Sequence, residues 1–82
     1  MNEDEIMRRV TEIFRDVLDQ EALVLQEETT ARDVDGWDSL SHISLIVSIE
    51  KEFGIRFDLT ELKPLKNVGD MLRLIQNKVS PV

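Results

Sequence analysis

Cysteine is absent from these 82 residues, so neither a disulfide framework nor a thiolate metal site can hold the fold, and hydrophobic packing must carry its stability. A reducing compartment suits such a chain, and the expectation is a cytoplasmic protein. No apolar run is long enough to cross a bilayer, and the opening MNEDEIMRRV has acids where a secretory signal has a basic stretch and an apolar core. With only three glycines and two prolines there is no linker, low-complexity tract or repeat to divide the chain. Basic charge is scarce as well: 10 Lys and Arg stand against 17 Asp and Glu, a net charge of -7. A field of that sign repels phosphate backbones and anionic head groups, which argues against nucleic acid and membrane, and it attracts basic patches on other proteins.

What is present fits one small soluble domain over residues 1–82. Hydrophobic residues make up 41% and charged residues 33%, too apolar for a disordered tail. Asn2 with Glu5 opens a helix, and Ile6, Val10, Ile13, Phe14 and Val17 then recur at steps of three and four, away from Arg8, Arg9, Glu12 and Arg15. The period fades after Leu18. Residues 19–37 read as a long ordered loop in which Ala22, Leu23, Val24 and Leu25 tuck back onto the bundle. From Leu40 the period returns, with Leu40, Ile43, Ile46, Val47, Ile49 and Phe53 assigned to the inner face and Gly54 ending the helix. The aliphatic run from Ile43 to Ile49 also allows a buried strand, against which length and spacing argue. Asp58 and Glu61 cap a short helix that stops near Lys63, before Pro64. Asn67 with Asp70 starts the last one, with Val68, Met71, Leu72, Ile75 and Val79 as its stripe, Gly69 as a local weakness and Pro81 as the stop. The fold class is all-α: a small four-helix bundle of three longer helices and one short one.

The stretch DVDGWDSLSHISLIVSIEKEFG holds the chemistry-bearing candidates. Ser39 stands at the threshold of a helix, where serine is a favoured cap. The same place, with its partial positive charge and unpaired amides, also favours a phosphate esterified on that serine. Both readings stand. A nucleophile served by His42 and oriented by Asp38 or Asp35 has neither the Gly-x-Ser-x-Gly elbow nor identifiable oxyanion donors. A lone histidine on a polar helix face is ordinarily solvated. Asp33, Asp35 and Asp38 fail the calcium-loop signature, because Asp38 and Ser44 occupy the places of its glycine and glutamate. Trp37 either buries its ring and pins the loop or meets a partner.

Asp38-Ser39-Leu40 entering an amphipathic helix that ends EKEFGIRF, with an acid-rich loop before it and NVGDMLRLI after it, resembles the acyl carrier protein family over nearly the whole chain. The resemblance implies a non-enzymatic four-helix bundle, monomeric, whose motif serine, here Ser39 between Asp38 and Leu40, receives 4'-phosphopantetheine from coenzyme A through a magnesium-using phosphopantetheinyl transferase. An acyl-loading ligase or acyltransferase, and a ketosynthase or other acyl-processing enzyme, are the further partners it implies. In the fatty-acid branch the helix after the serine is studded with acids, whereas here Ser41, His42, Ser44 and Lys51 hold those places and only Glu50 and Glu52 keep the charge. That departure implies shifted partner recognition and a specialised pathway such as polyketide assembly, with Trp37, Ser41, His42, Ser44, Val47, Glu50 and Glu52 as the docking set. The competing reading is a helical adaptor with no prosthetic group.

Overall fold

The computed structural model describes residues 2–79; Pro81, expected to end the last helix, lies outside them. Four α-helices follow one another: α1 (Glu3–Leu18), α2 (Ser39–Phe53), the short α3 (Leu59–Leu62) and α4 (Val68–Val79). No strand occurs among the described residues, so the aliphatic run of residues 43–49 is helical.

α1 begins where its sequence places it. The Asn2 side chain accepts the Glu5 N–H at 2.8 Å, and three acids in the first turn sit at the positive end of the helix dipole. It ends on Asp19, which takes the left-handed conformation at φ 55 and returns its N–H to the Arg15 carbonyl. Ile6, Val10 and Phe14 are fully buried, with Ile13 and Val17 partly covered. α1 packs against both α2 and α4, which makes it the central element. α4 follows its expected stripe: Val68, Met71, Leu72 and Ile75 enter the core and Val79 packs at its edge.

The inner face of α2 is in part the one expected, with Ile46, Ile49 and Phe53 turned to the core, and in part another. Leu45, Ile46 and Ile49 are buried, while Leu40, Ile43 and Val47 are 79%, 62% and 42% exposed. Aliphatic side chains occur on every side of this helix, so spacing alone selects the most populous stripe, and the packing of α2 on α1 selects another.

The connection from α1 to α2 is ordered by specific bonds. Arg15 Nε donates to the Leu23 carbonyl at 2.7 Å, and Gln20 Nε2 donates to the Asp35 carbonyl at 2.6 Å. Leu25 and Val34 are buried and Leu23 is partly covered, but Val24 is 68% exposed and Ala22 faces solvent, so only half of the expected apolar run tucks in. A short 3-10 helix, Ala31–Asp33, interrupts the loop; too short to show a period, it is marked by Thr30 N–H donating to Asp33 Oδ2 at 2.9 Å. Farther on, Val68 N–H donates to the Thr29 carbonyl at 2.9 Å and Gly69 N–H to the Glu27 carbonyl at 2.8 Å, stitching the loop to the start of α4. Gly69 is therefore more than a weak helix former. A Cβ there would lie 3.1 Å from the Glu27 carbonyl oxygen and 3.2 Å from its Cβ, so the absent side chain is what lets the loop approach.

Candidate functional site

The site forms where the loop delivers the chain into α2. Gly36, at φ 83, turns the backbone so that the Trp37 indole enters the core, where it meets Phe14 edge to face at 4.9 Å between centroids. Trp37 is only 9% exposed, which corrects its assignment as a docking surface: it anchors the loop. Its Nε1–H donates to His42 Nδ1 at 3.1 Å, tying the last loop residues to the first turn of α2. His42 is accordingly half-buried and bonded, not solvated as its helix position implied, and desolvation lowers its pKa below the usual 6.5.

Asp38, not Ser39, caps α2. Its Oδ1 accepts the N–H groups of Leu40 at 3.1 Å and Ser41 at 3.0 Å, and its own N–H donates to Ser41 Oγ at 2.8 Å, a reciprocal box closed by Ser41 Oγ donating to the Gly36 carbonyl at 2.6 Å. These bonds, chiefly the one from Ser41 N–H, lower the Asp38 pKa below 3.8 and keep it a carboxylate. Ser41 is thereby a capping residue, occupied within its own chain. Ser39 occupies the first helical position, is exposed, and its hydroxyl makes no hydrogen bond among the described residues. A reactive or modified oxygen needs that freedom, and a capping serine would lack it. The unpaired amides expected to receive an anion are, however, largely taken by Asp38.

Ser39 stands at the rim of a cleft of about 450 Å³ walled by Trp37, His42, Leu65, Lys66 and Met71. On the other side of His42 runs a groove of about 390 Å³ between α2 and α3, lined almost wholly by the apolar side chains of Ile43, Ile46, Val47, Leu59 and Leu62, with Lys63 at its edge. Lys63, Lys66 and Leu59 were not among the sequence candidates. The signal for them was available: two lysines in KPLK stand close together in a chain of net charge -7.

Of the expected docking residues, Ser44 and Val47 are exposed on α2. The two acids are engaged within the fold. Glu50 Oε2 accepts the Phe57 N–H at 2.9 Å, and Glu52 pairs with Arg9 at 3.2 Å. Among the described residues no cluster of acids or histidine is arranged to hold a metal ion.

The sequence and the fold have counterparts in known proteins. Residues 8–75 match the family described as phosphopantetheine attachment site. An acyl carrier protein of Thermosynechococcus vestitus is 38% identical over 98% of this chain and 99% of its own length. The chain belongs to the acyl carrier protein family. A Thermotoga maritima acyl carrier protein is similar at 32% identity, over 93% of this chain and 94% of its own. The solution structure of a holo acyl carrier protein from Geobacter metallireducens superposes with a TM-score of 0.85 at 50% identity, covering 90% of this chain and 85% of that one. An acyl carrier protein is a carrier and not a catalyst, which removes the hydrolase reading of Ser39 and His42 and disfavours the adaptor without a prosthetic group. The group its family attaches is phosphopantetheine, and the free serine hydroxyl beside a cleft lined by His42 and Lys66 suits a phosphate ester.

Proposed function

We propose that Ser39 is the residue on which this acyl carrier protein bears 4'-phosphopantetheine, with Asp38 and Leu40 shaping the helix start that a phosphopantetheinyl transferase reads. The single observation that supports this most is the Ser39 hydroxyl: exposed, unbonded, at the first position of α2 and beside a cleft. In the transfer, the Ser39 oxygen gains the phosphopantetheinyl group of coenzyme A, the adenosine bisphosphate half leaves, and the hydroxyl proton goes to solvent. When bound, the arm supplies a terminal thiol that holds an acyl group as a thioester. The chain's own part is to hold that attachment oxygen at the start of α2 and to offer its surface to successive enzymes, raising the local concentration of cargo at each.

Those enzymes comprise an acyl-loading ligase or acyltransferase and a ketosynthase or other acyl-processing enzyme, in a specialised fatty-acid or polyketide-type pathway in the cytoplasm. The face of α2 nearest Ser39 supports the specialised reading: Leu40, Ile43, Ser44 and Val47 are exposed there and none is charged, while Glu50 and Glu52 are held by Phe57 and Arg9. Docking on that face is dominated by apolar contact.

The test is incubation of the full chain with coenzyme A, magnesium and a broad-specificity phosphopantetheinyl transferase, read by intact mass. One added arm is expected, and none on Ser39→Ala. An unmodified wild-type chain, or an arm retained by Ser39→Ala, would overturn the assignment.

A further inference from the structure

The bond between Trp37 and His42 fixes more than the position of the loop. An indole N–H can only donate, so the 3.1 Å contact makes His42 Nδ1 the acceptor and leaves the imidazole proton on Nε2. The ring is neutral, held by its partner in one tautomer, and its Nε2–H has no partner among the described residues. His42 is the wall shared by the cleft beside Ser39 and the groove between α2 and α3. It also follows Ser39 by three positions, a spacing that puts two side chains on one helix face with Cβ atoms about 5–6 Å apart.

A phosphate on Ser39 meets an unusual local balance. The amides of Leu40 and Ser41, which a helix start would ordinarily turn toward an anion, both donate to Asp38 Oδ1. Asp38 itself adds a negative charge next door. Compensation has to come from elsewhere, and the cleft offers two donors. One is His42 Nε2–H. The other is Lys66 on the opposite wall, which forms no ion pair among the described residues, whereas Arg8, Arg9, Arg73 and Lys78 are each paired with an acid. The charged groups that share a cleft wall with His42 are Asp38 at the start of its own helix, Lys66 ahead of α4 and Lys63 after α3, and burial of the ring, which lowers its pKa, favours the neutral imidazole.

We propose that the phosphodiester of a Ser39-linked arm is held in this cleft by His42 Nε2–H and the Lys66 ammonium, with Trp37 as the positioning residue that fixes the imidazole tautomer. The proposal rests on Ser39 being the attachment residue. It assigns the chain a built-in anchor for the root of the arm, at residues outside the Asp38-Ser39-Leu40 triplet, and leaves the thiol end free to travel.

The test uses the full chain, first loaded and checked by intact mass, then studied by phosphorus and imidazole nitrogen NMR near neutral pH. The apo protein should show the Nε2–H tautomer of His42. On loading, the His42 ring resonances should shift, and the phosphodiester resonance should move away from its wild-type position in both His42→Leu and Lys66→Met. His42→Gln, whose amide can accept from Trp37 and still donate, should keep the phosphorus shift near wild type, a rescue that a merely packing role for the ring would not produce. A loaded wild-type protein whose His42 resonances match those of the apo form would overturn the clamp and leave Ser39 as the attachment point. If His42→Leu fails to fold, the apo and holo wild-type comparison alone decides. A chain that accepts no arm at Ser39 overturns the attachment reading and the clamp together.

Discussion

Asp38 and Ser39 divide two duties that their order in the sequence does not separate. Both are favoured caps, and only the bonds from Leu40 and Ser41 to Asp38 reveal which one closes the helix. Ser39→Ala is therefore expected to abolish loading while leaving the thermal midpoint near wild type, whereas Asp38→Ala should lower the midpoint, both measured by circular dichroism. The pH dependence follows from the same bonds. The folded pKa of Asp38 is depressed, so its contribution is present above the ordinary value of 3.8 and is lost as pH falls through the lower folded value. His42 obeys the same sign for a different cause. Its folded pKa is lowered by burial, so its contribution is full above 6.5 and declines as pH drops through the folded value, because the unfolded chain takes up the proton more readily. Stability measured by urea titration should thus begin to fall below about pH 6.5 in the wild type, and this first decline should be absent in His42→Gln. The link between Trp37 and His42 was illegible in the sequence, since it joins a loop residue to a helix residue at no helical spacing, and burial of the indole was only one of two readings its position allowed.

At the scale of elements, α1 and α4 were legible because their apolar residues form one stripe against a polar remainder, and because Asn2 and Asn67 announce their starts. α2 was legible as a helix, but only half of its inner face was. Residues Leu40, Ile43 and Val47, assigned inward on spacing, are exposed, while Ile46 and Ile49 are buried as expected, and the three exposed ones form the face on which docking is proposed. Association with acyl-processing enzymes should accordingly depend only weakly on salt, and Val47→Asp should weaken it more than Glu52→Gln does. A steep loss of affinity between low and high salt, read by titration calorimetry, would restore charge as the main attraction. The core itself responds to truncation of its largest fully buried side chain: Phe14, in edge contact with Trp37, should cost about 3–5 kcal/mol on replacement by alanine, a large share of the ~5–15 kcal/mol that holds a domain of ordinary stability. Gly69→Ala tests the loop contact. A gain from helix propensity is outweighed by the 3.1 Å approach of Glu27, and a net loss of about 1–3 kcal/mol is expected by chemical denaturation.

For the whole molecule, the absence of cysteine becomes useful. A chain without thiols should give no signal in a thiol titration as made, and one equivalent per chain after loading, independent of any assay of a partner. The described residues have a radius of gyration of 11.8 Å, close to the ~12 Å expected of a folded chain of this length, and their buried apolar residues form one cluster fed by all three long helices and by Leu25, Val34 and Trp37 of the loop. The loop is thus part of the core even though nothing periodic marks it. Its two backbone bonds to Val68 and Gly69 carry a consequence for how the molecule breathes. Those two amides are protected by acceptors on a segment remote in sequence, so their exchange with deuterated solvent reports detachment of the loop from α4 rather than fraying of α4 alone. They should exchange in step with each other, and substitution of Gly69 should quicken both while the amides in the middle of α1 keep their slower pace.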